Sequence, residues 1–259
     1  MQQHVDRKKK LIWQFGIIAT LLILWEALPR LFDINPLVLP TLSDSVSSLW
    51  QPLTGEGSLW SNAWVTLQEI IGAFLIAAVL GVGLGLLVGA LKPLRRIATP
   101  FLLAAFAVPI MVLIPLFLVA LGLGIASKIG FGALYALFPV LFNTVVGVSN
   151  VNPLYYSVAQ AFGLSRWELA TKVVLRSAAR DIMNGLQNAV SIAIIAVVSI
   201  EMFGSVAGLG YLIQRAGQRM RIDETYGLIL VVLVMAIVLL GLIKEIGRKM
   251  NIRLEVSIE

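Results

Sequence analysis

The chain has 259 residues, of which 59% are hydrophobic and only 13% are charged, so it is far more apolar than a soluble domain. It has no cysteine and a single histidine, His4, which excludes disulfides, thiolate or multi-histidine metal sites and histidine-based hydrolytic centres. The net charge of +6 does not indicate nucleic acid as a partner, because the basic residues stand beside apolar runs rather than on a water-soluble module.

Six apolar runs are long enough to cross the hydrocarbon core of a bilayer as helices. The N-terminus is basic and then apolar, like a signal peptide, but no small-residue cleavage site follows, so we interpret it as a retained first span. The sequence therefore predicts an all-α membrane protein of about six transmembrane helices. The predicted spans are Leu11–Leu28, Ile70–Leu91, Phe101–Ser127, Ile129–Val148, Ile182–Ile200 and Tyr226–Ile243.

The distribution of Lys and Arg predicts the orientation of these spans. If the N-terminus is cytoplasmic, 15 of the 20 basic residues lie on the inside, as the positive-inside rule requires. Six spans then place both termini in the cytoplasm, together with the polar loop 149–181 between the fourth and fifth spans. Lys128 falls in the outside hairpin between the third and fourth spans.

Glycines and prolines interrupt three of the spans. Gly81, Gly85 and Gly89 recur every four residues on one face of the second span, where another helix backbone can approach closely. This stripe predicts packing within the chain, with a dimer interface as the alternative. Prolines lacking a backbone donor predict kinks at Pro109 and Pro115 in the third span and at Pro139 in the fourth.

Polar side chains lie along one face of the fifth span. Such groups are unlikely to point into lipid, so this face either lines a translocation path or bonds to neighbouring helices, and the sequence does not choose between the two. For Glu201, at the end of the span, three interpretations are open: it acts as a gate, it forms a structural pair with another residue, or it lies at the membrane interface. The candidate pathway residues are Asn184, Asn188, Ser191, Ser199 and Glu201.

The loop 149–181 has strong local helix signals. Asn152 is a predicted N-cap followed by Pro153 at the first helical position, and Gly163 is suited to end the helix in the left-handed conformation. The pattern Ser165-Arg166-Trp167-Glu168 is a capping box that opens a second helix running on toward the fifth span. Periodicity alone leaves two roles open: a stiff projection that fills a partner's groove, or an amphipathic connector on the lipid surface.

This loop resembles the cytoplasmic loop of the permease subunits of bacterial binding-protein-dependent ABC importers, whose pattern is Glu-Ala-Ala, three residues, Gly, nine residues and Ile-x-Leu-Pro. Aligned on Gly163, the chain matches at Ala159, Gly163 and Leu175 and departs at Ser157 and Arg176, where the family has Glu and Pro. Segments such as GLSRWELATKVVL and SIEMFGSVAGLGYLIQRAG resemble, in order and spacing, the nitrate, sulfonate, taurine and bicarbonate branch. The similarity runs from about residue 35 to 250.

The resemblance implies a permease that pairs with a second copy, most simply as a homodimer, around a central pathway in the bacterial inner membrane. Two copies of a separate ATPase would bind ATP and Mg, and a periplasmic binding protein would deliver the substrate. The substrate implied is a small anion such as a sulfonate, taurine, nitrate or bicarbonate, although related permeases serve neutral or aromatic compounds. The residues expected to contact the ATPase are Pro153, Tyr155, Tyr156, Ser157, Ala159, Phe162, Gly163, Ser165 and Arg166.

The resemblance also divides the chain into an N-terminal segment 1–61 with the first span, a permease core 62–250 and a C-terminal tail 251–259. No phosphate-loop pattern occurs in the sequence, so the chain is expected to be no enzyme by itself and to hold no cofactor. The main alternative is an ATP-independent secondary transporter or channel. Against it, the central parts of the second, third, fourth and sixth spans carry no Asp, Glu, Lys or Arg.

Overall fold

The structure, a computed structural model, describes residues 2–50 and 58–249, and every regular element within these ranges is helical. The predicted C-terminal tail 251–259 lies outside the described residues. Ten α-helices of six residues or more lie within the described ranges. They are α1 Gln2–Leu31, α2 Leu42–Ser47, α3 Leu59–Ala90, α4 Lys92–Phe106, α5 Ile110–Leu121, α6 Ile125–Ser149, α7 Pro153–Ala161, α8 Ala179–Gly204, α9 Leu209–Gln218 and α10 Ile222–Lys249.

Four of these helices, α3, α6, α8 and α10, are long and apolar enough to cross a membrane, and a bent pair, α4 with α5, makes a fifth candidate. The helices α3, α6, α8 and α10 correspond, in this order, to the predicted second, fourth, fifth and sixth spans. The predicted first span falls within α1, whose side chains from Gly16 to Leu24 are mostly exposed. The all-α membrane class is confirmed, and the count of six spans stays a prediction.

The third predicted span is not one kinked helix. The axes of Lys92–Phe106 and Met111–Leu121 meet at 92°, and the break falls at Pro109, which is the N-cap of α5. Proline disfavours the helical conformation of the residue before it and offers no backbone donor, so the chain turns there instead of bending gradually. Pro115 and Pro139, by contrast, lie inside continuous helices.

Helices α3, α6 and α8 form the centre of the bundle. Their contact surfaces consist largely of small residues such as Ala73, Ala77, Ala136, Ala193 and Val197, all of them buried. Small side chains let helix backbones approach closely, which is how membrane helices gain van der Waals contact without a hydrophobic driving force. α3 and α6 run parallel, and α8 runs antiparallel to both.

The predicted glycine stripe lies inside this centre, on the face of α3 that contacts α6. A Cβ atom at Gly81 would lie 2.6 Å from Val140 Cβ, one at Gly85 2.5 Å from Thr144 Cβ, and one at Gly89 2.7 Å from Val148 Cβ. These distances are too short for real Cβ contacts. The stripe therefore packs within the chain, and α6 covers the face that a dimer interface would need.

The bundle has two distinct ends. At the loop end, α3 and α6 finish, α4 and α8 begin, and the loop 149–181 lies between α6 and α8. At the far end, α3 and α6 begin, α8 finishes and the short helix α9 follows. The structure thus brings the basic residues at the start of α4 to the same end as the loop, as the predicted topology requires.

Candidate functional site

The first half of the loop forms α7, and its ends follow the predicted local signals. Asn152 Oδ1 accepts a hydrogen bond from the backbone N–H of Leu154 at 2.9 Å, which caps the start of the helix. Gly163 has φ +67°, and the N–H of Leu164 donates to the carbonyl of Ala159 at 3.0 Å. This is a Schellman end, which requires the left-handed conformation that glycine adopts most easily. The predicted helix and glycine elbow are confirmed.

The second half of the loop begins with the predicted capping box. The backbone N–H of Glu168 donates to Ser165 Oγ at 3.3 Å, and Glu168 Oε2 accepts from the backbone N–H of Ser165 at 3.0 Å. Lys172 Nζ lies 2.8 Å from Glu168 Oε1. The hydrogen bond from Lys172 and those from Ser165 lower the pKa of Glu168 from 4.5 to about 2, so this carboxylate is charged at any physiological pH.

The predicted second helix forms, but it is not a regular α-helix. Leu169–Val174 is π-helical and a short α-helical turn Leu175–Ser177 follows. At Ala178 the N–H donates to the carbonyl of Val174 and the carbonyl accepts from the N–H of Ile182, so the hydrogen bonding continues into α8. The wider π-helical turn fits a single extra residue into a helix, which sequence periodicity does not reveal. The second half of the loop thus connects to α8 through a helical segment that contains a π-helical turn.

A buried apolar cluster holds the loop against the bundle. Val148 and Val151 from the end of α6 pack with Val174 and Ala178 from the loop and Ile182 from α8. Tyr156 and Leu169 pack against this cluster from its edge, and Ala159 of α7 is also buried. α7, through Tyr156, and the π-helical segment therefore pack against the same cluster as α6 and α8.

The opposite face of α7 is apolar and exposed. Tyr155, Val158 and Phe162 occur at positions i, i+3 and i+7, so they form one stripe, and their exposed fractions reach 50% for Tyr155 and 79% for Phe162. Trp167 continues this exposed surface beyond the elbow. Tyr155 and Tyr156, grouped together in the sequence, thus point in different directions. Ser157, Ser165, Arg166 and Pro153 are exposed as well.

The polar face predicted on the fifth span is divided in the structure. Asn184 and Ser191 of α8 are half-buried and Asn188 is exposed, so these three share an accessible face. Ser199 is buried. Glu201 lies apart from this face, because it follows Asn188 by 13 positions, which places it on the other side of an ideal helix.

Glu201 is instead the centre of a buried polar cluster at the far end. It is 1% exposed, and its Oε1 accepts a hydrogen bond from Thr66 Oγ1 of α3 at 2.7 Å. Its Oε2 accepts from the backbone N–H of Gly210 at 2.7 Å, at the start of α9. A carboxylate at a helix N-terminus is favourable because it meets both free N–H groups and the positive end of the helix dipole.

Two more backbone groups at the start of α9 bond to α3. The N–H of Leu209 donates to Thr66 Oγ1 at 2.7 Å, and the N–H of Gly208 donates to Asn62 Oδ1, also at 2.7 Å. Asn62 and Thr66, on successive turns of α3, thus accept from two consecutive backbone N–H groups, and Glu201 of α8 accepts from the next. Three buried hydrogen bonds therefore fix the N-terminus of α9 to α3 and α8, and a fourth, from Thr66 to Glu201, joins α3 to α8.

Two further ionisable side chains complete this cluster, and the sequence analysis placed neither of them there. Glu69 of α3 is 2% exposed and its carboxyl group is hydrogen-bonded to that of Glu201. Lys128 of α6 is 2% exposed, interacts electrostatically with both carboxyl groups and donates to the carbonyl of Leu123. Glu69, Glu201 and Lys128 therefore bring two acidic side chains and one basic side chain together in the buried cluster.

The chain matches the family described as the inner membrane component of binding-protein-dependent transport systems over residues 77–251. It belongs to this family. The permease is 30% identical to a putative ABC transporter permease of Methanocaldococcus jannaschii over 89% of its own length and 88% of the relative's. It is 28% identical to a putative aliphatic sulfonates transport permease of Bacillus subtilis, with 94% and 88% covered, and 29% identical to the taurine transport permease of Escherichia coli, with 88% and 84% covered.

The family and branch predicted from the sequence are thus confirmed, and the permease is a multi-pass membrane protein of a transport system. Its predicted ATPase-contacting residues lie together at the loop end. The predicted pathway residues do not all lie together, because Glu201 joins the far-end cluster. In the described part of the permease, no group of three or more His, Cys, Asp or Glu side chains is arranged to hold a metal ion.

Proposed function

We propose that the permease is the membrane subunit of an ATP-driven importer and that α7 docks into a groove of a separate ATPase. The observation that carries this proposal is the exposed stripe of Tyr155, Val158 and Phe162. Large apolar side chains at i, i+3 and i+7 on a polar loop are the anchors that a helix-in-groove contact uses. The neighbouring residues Pro153, Ser157, Gly163, Ser165 and Arg166 would form the rim of this contact.

The inner face of the loop supports the coupling role. Hydrolysis changes an equilibrium in the membrane only if the ATPase contacts differ between two conformations of the permease. Tyr156 of α7 packs against the core that Val174 and Ile182 share, which supports α7 as an extension of the bundle rather than a flexible tether. Two copies of the ATPase would bind ATP and Mg, one copy for each loop of a permease homodimer.

The accessible polar face of α8 supports a pathway between two copies of the permease. Asn184, Asn188 and Ser191 would line it, and a periplasmic binding protein would deliver the substrate to the far end. The names of the sulfonate and taurine relatives support a small anion as substrate. In this arrangement the permease lies in the inner membrane with both termini cytoplasmic. Segment 62–250 is the permease core, segment 1–61 holds the basic N-terminal tail, the first span and a periplasmic stretch, and segment 251–259 is a cytoplasmic tail.

The test begins with affinity purification of the permease from its native membrane in mild detergent and identification of bound proteins by mass spectrometry. A Tyr155→Ser/Phe162→Ser variant is then compared with Phe203→Ser, which removes an equally exposed aromatic ring at the far end. Each buried interface aromatic contributes about 2 kcal/mol or more, so we expect the double variant to bind the ATPase at least ~30-fold more weakly. The Phe203→Ser control should bind it normally.

The same preparation distinguishes the alternative of a secondary transporter or channel. The cluster of Glu69, Lys128 and Glu201 favours that alternative to some degree, because ion-coupled carriers place ionisable groups inside the membrane. Uptake into liposomes that requires ATP and the ATPase supports the importer. Uptake by the permease alone, driven by a pH gradient and abolished by Glu69→Gln, would refute the importer proposal. A panel of taurine, nitrate, bicarbonate and riboflavin then identifies the substrate class.

A further inference from the structure

Two cavities lie side by side at the loop end of the bundle. The first, of about 430 Å³, lies between the end of α3, the start of α4 and the loop. The second, of about 580 Å³, lies between α4 and the end of α6. Lys92, Arg95 and Ser149 line both cavities, so these three residues stand at their common boundary.

The walls of these cavities carry positive charge without a counter-charge. Arg166 of the loop also lines the first cavity and Arg96 the second, and no Asp or Glu lines either one. Within residues 2–50 and 58–249, none of these four basic side chains forms an ion pair. Four like charges around adjoining cavities raise the electrostatic potential there, which attracts an anion.

The remaining walls are mostly apolar. Leu102 of α4 and Phe142, Val145 and Val146 of α6 line the second cavity together with Thr99. Leu102 lies about two helical turns beyond Arg95 along α4. A ligand in this space therefore meets basic groups at one part of its length and apolar groups at another. That combination matches a phosphate group carrying an acyl chain better than a free ion.

We propose that Lys92, Arg95 and Arg166 form a binding site for a phosphate-bearing anion. Guanidinium groups bind phosphate oxygens in pairs, and basic pockets between membrane helices on the cytoplasmic side bind anionic lipid headgroups. The phosphate comes from an anionic phospholipid or from free inorganic phosphate, and the apolar walls favour the lipid. Because Arg95 belongs to α4 and Arg166 to the loop, a bound phosphate bridges them and ties the loop to the bundle.

The site is tested on the purified full-length permease, without an ATPase, by titration with phosphatidylglycerol in native mass spectrometry. Phosphatidylcholine serves as the zwitterionic comparison, and inorganic phosphate forms a separate arm. Each Lys or Arg near a membrane surface contributes about 1 kcal/mol to anionic lipid binding. We therefore expect Lys92→Gln/Arg95→Gln to bind phosphatidylglycerol about 30-fold more weakly than the unaltered permease.

The matched control is Arg176→Gln/Lys244→Gln, which removes two exposed charges outside both cavities and should leave binding unchanged. The charge-keeping variant Lys92→Arg/Arg95→Lys shows whether a loss arises from misfolding, because it should retain most of the affinity. Selective loss of phosphatidylglycerol binding supports the site with a lipid source. Binding of inorganic phosphate that displaces the lipid and is lost in the same variant supports the site with a free source. Equal lipid and phosphate binding by all variants would overturn the proposal.

Discussion

Gly208 lies at φ +110° directly against the carboxylate of Glu201, where a Cβ atom would overlap Glu201 Oε1. Any L-residue at this position is strained by its backbone conformation and also displaces a buried hydrogen-bonded carboxylate. Gly217, at the other end of the same helix, has open space around its Cα and no such backbone demand. Substitutions at Gly208, the N-cap of α9, and at Gly217 within α9 therefore test how much the far-end polar cluster contributes.

We expect Gly208→Ala to destabilise the permease by about 2 kcal/mol or more, which corresponds to a fall of roughly 4–8 °C in the melting temperature measured in detergent. Gly217→Ala should leave the melting temperature unchanged or slightly higher, because alanine favours a helix over glycine. Equal melting temperatures for the two variants would show that the cluster does not hold α9 in place.

The residues of this cluster also show which parts of a site a sequence predicts. Asn152, Gly163 and the Ser165–Glu168 box are recognisable because each cap joins residues two to five positions apart. Thr66 and Glu201 are 135 positions apart, and their hydrogen bond depends on how α3 packs against α8. No pattern within one segment reports that contact, so Glu69 and Lys128 remained unassigned. A glutamate at the end of a membrane span, such as Glu201, needs a partner. The sequence indicates that need but not which residues meet it.

At the scale of single helices, α3 offers a direct test of close packing, because it has glycines on both faces. Gly85 faces Thr144 of α6, whereas Gly83 has nothing within 4 Å of an added Cβ. Overpacking a tight helix contact costs about 1–3 kcal/mol, and replacing an exposed helical glycine with alanine is stabilising by up to about 1 kcal/mol.

The two substitutions are thus expected to have opposite signs. Gly85→Ala should lower the melting temperature of the detergent-solubilised permease and reduce its yield as a monodisperse species, and Gly83→Ala should not. If both variants behaved alike, the parallel α3–α6 contact would not be as close as the structure shows.

The capping box of the loop predicts how docking depends on pH. The pKa of Glu168 falls from 4.5 to about 2 on folding, so its contribution to loop stability is fully present above pH 4.5 and is lost as the pH falls toward 2. ATPase binding should therefore not titrate through Glu168 between pH 5 and 8. Pull-down of the ATPase across this range checks the point, with Glu168→Gln as the control. A binding curve that changes in the unaltered permease but is flat in Glu168→Gln would contradict it.

At the scale of the whole molecule, the sequence predicted the helical class and four of the spans, because apolar length is a property of each segment alone. It did not predict the 92° turn at Pro109, since a proline in a membrane helix is compatible with a kink or a break. Whether the chain kinks or breaks at Pro109 depends on whether α6 and α8 can cover the backbone groups that lose their hydrogen bonds there. The path of the α4–α5 segment is accordingly a tertiary property of the bundle.

The predicted orientation of the permease rests on the distribution of charge. It can be measured by cysteine labelling, because the chain has no cysteine of its own. Ser177 lies exposed at the loop end and Gln218 lies exposed at the far end, and neither forms part of a buried cluster. Of the 20 Lys and Arg residues, 15 fall on the side predicted to be cytoplasmic, and the cost of translocating short basic loops makes the opposite orientation unfavourable.

A membrane-impermeant maleimide applied to intact spheroplasts should therefore label Gln218→Cys, whereas Ser177→Cys should be labelled only after the membrane is permeabilised. The reverse pattern would place the loop outside the cell, beyond the reach of any ATPase, and would refute the importer and the cytoplasmic docking of α7 together.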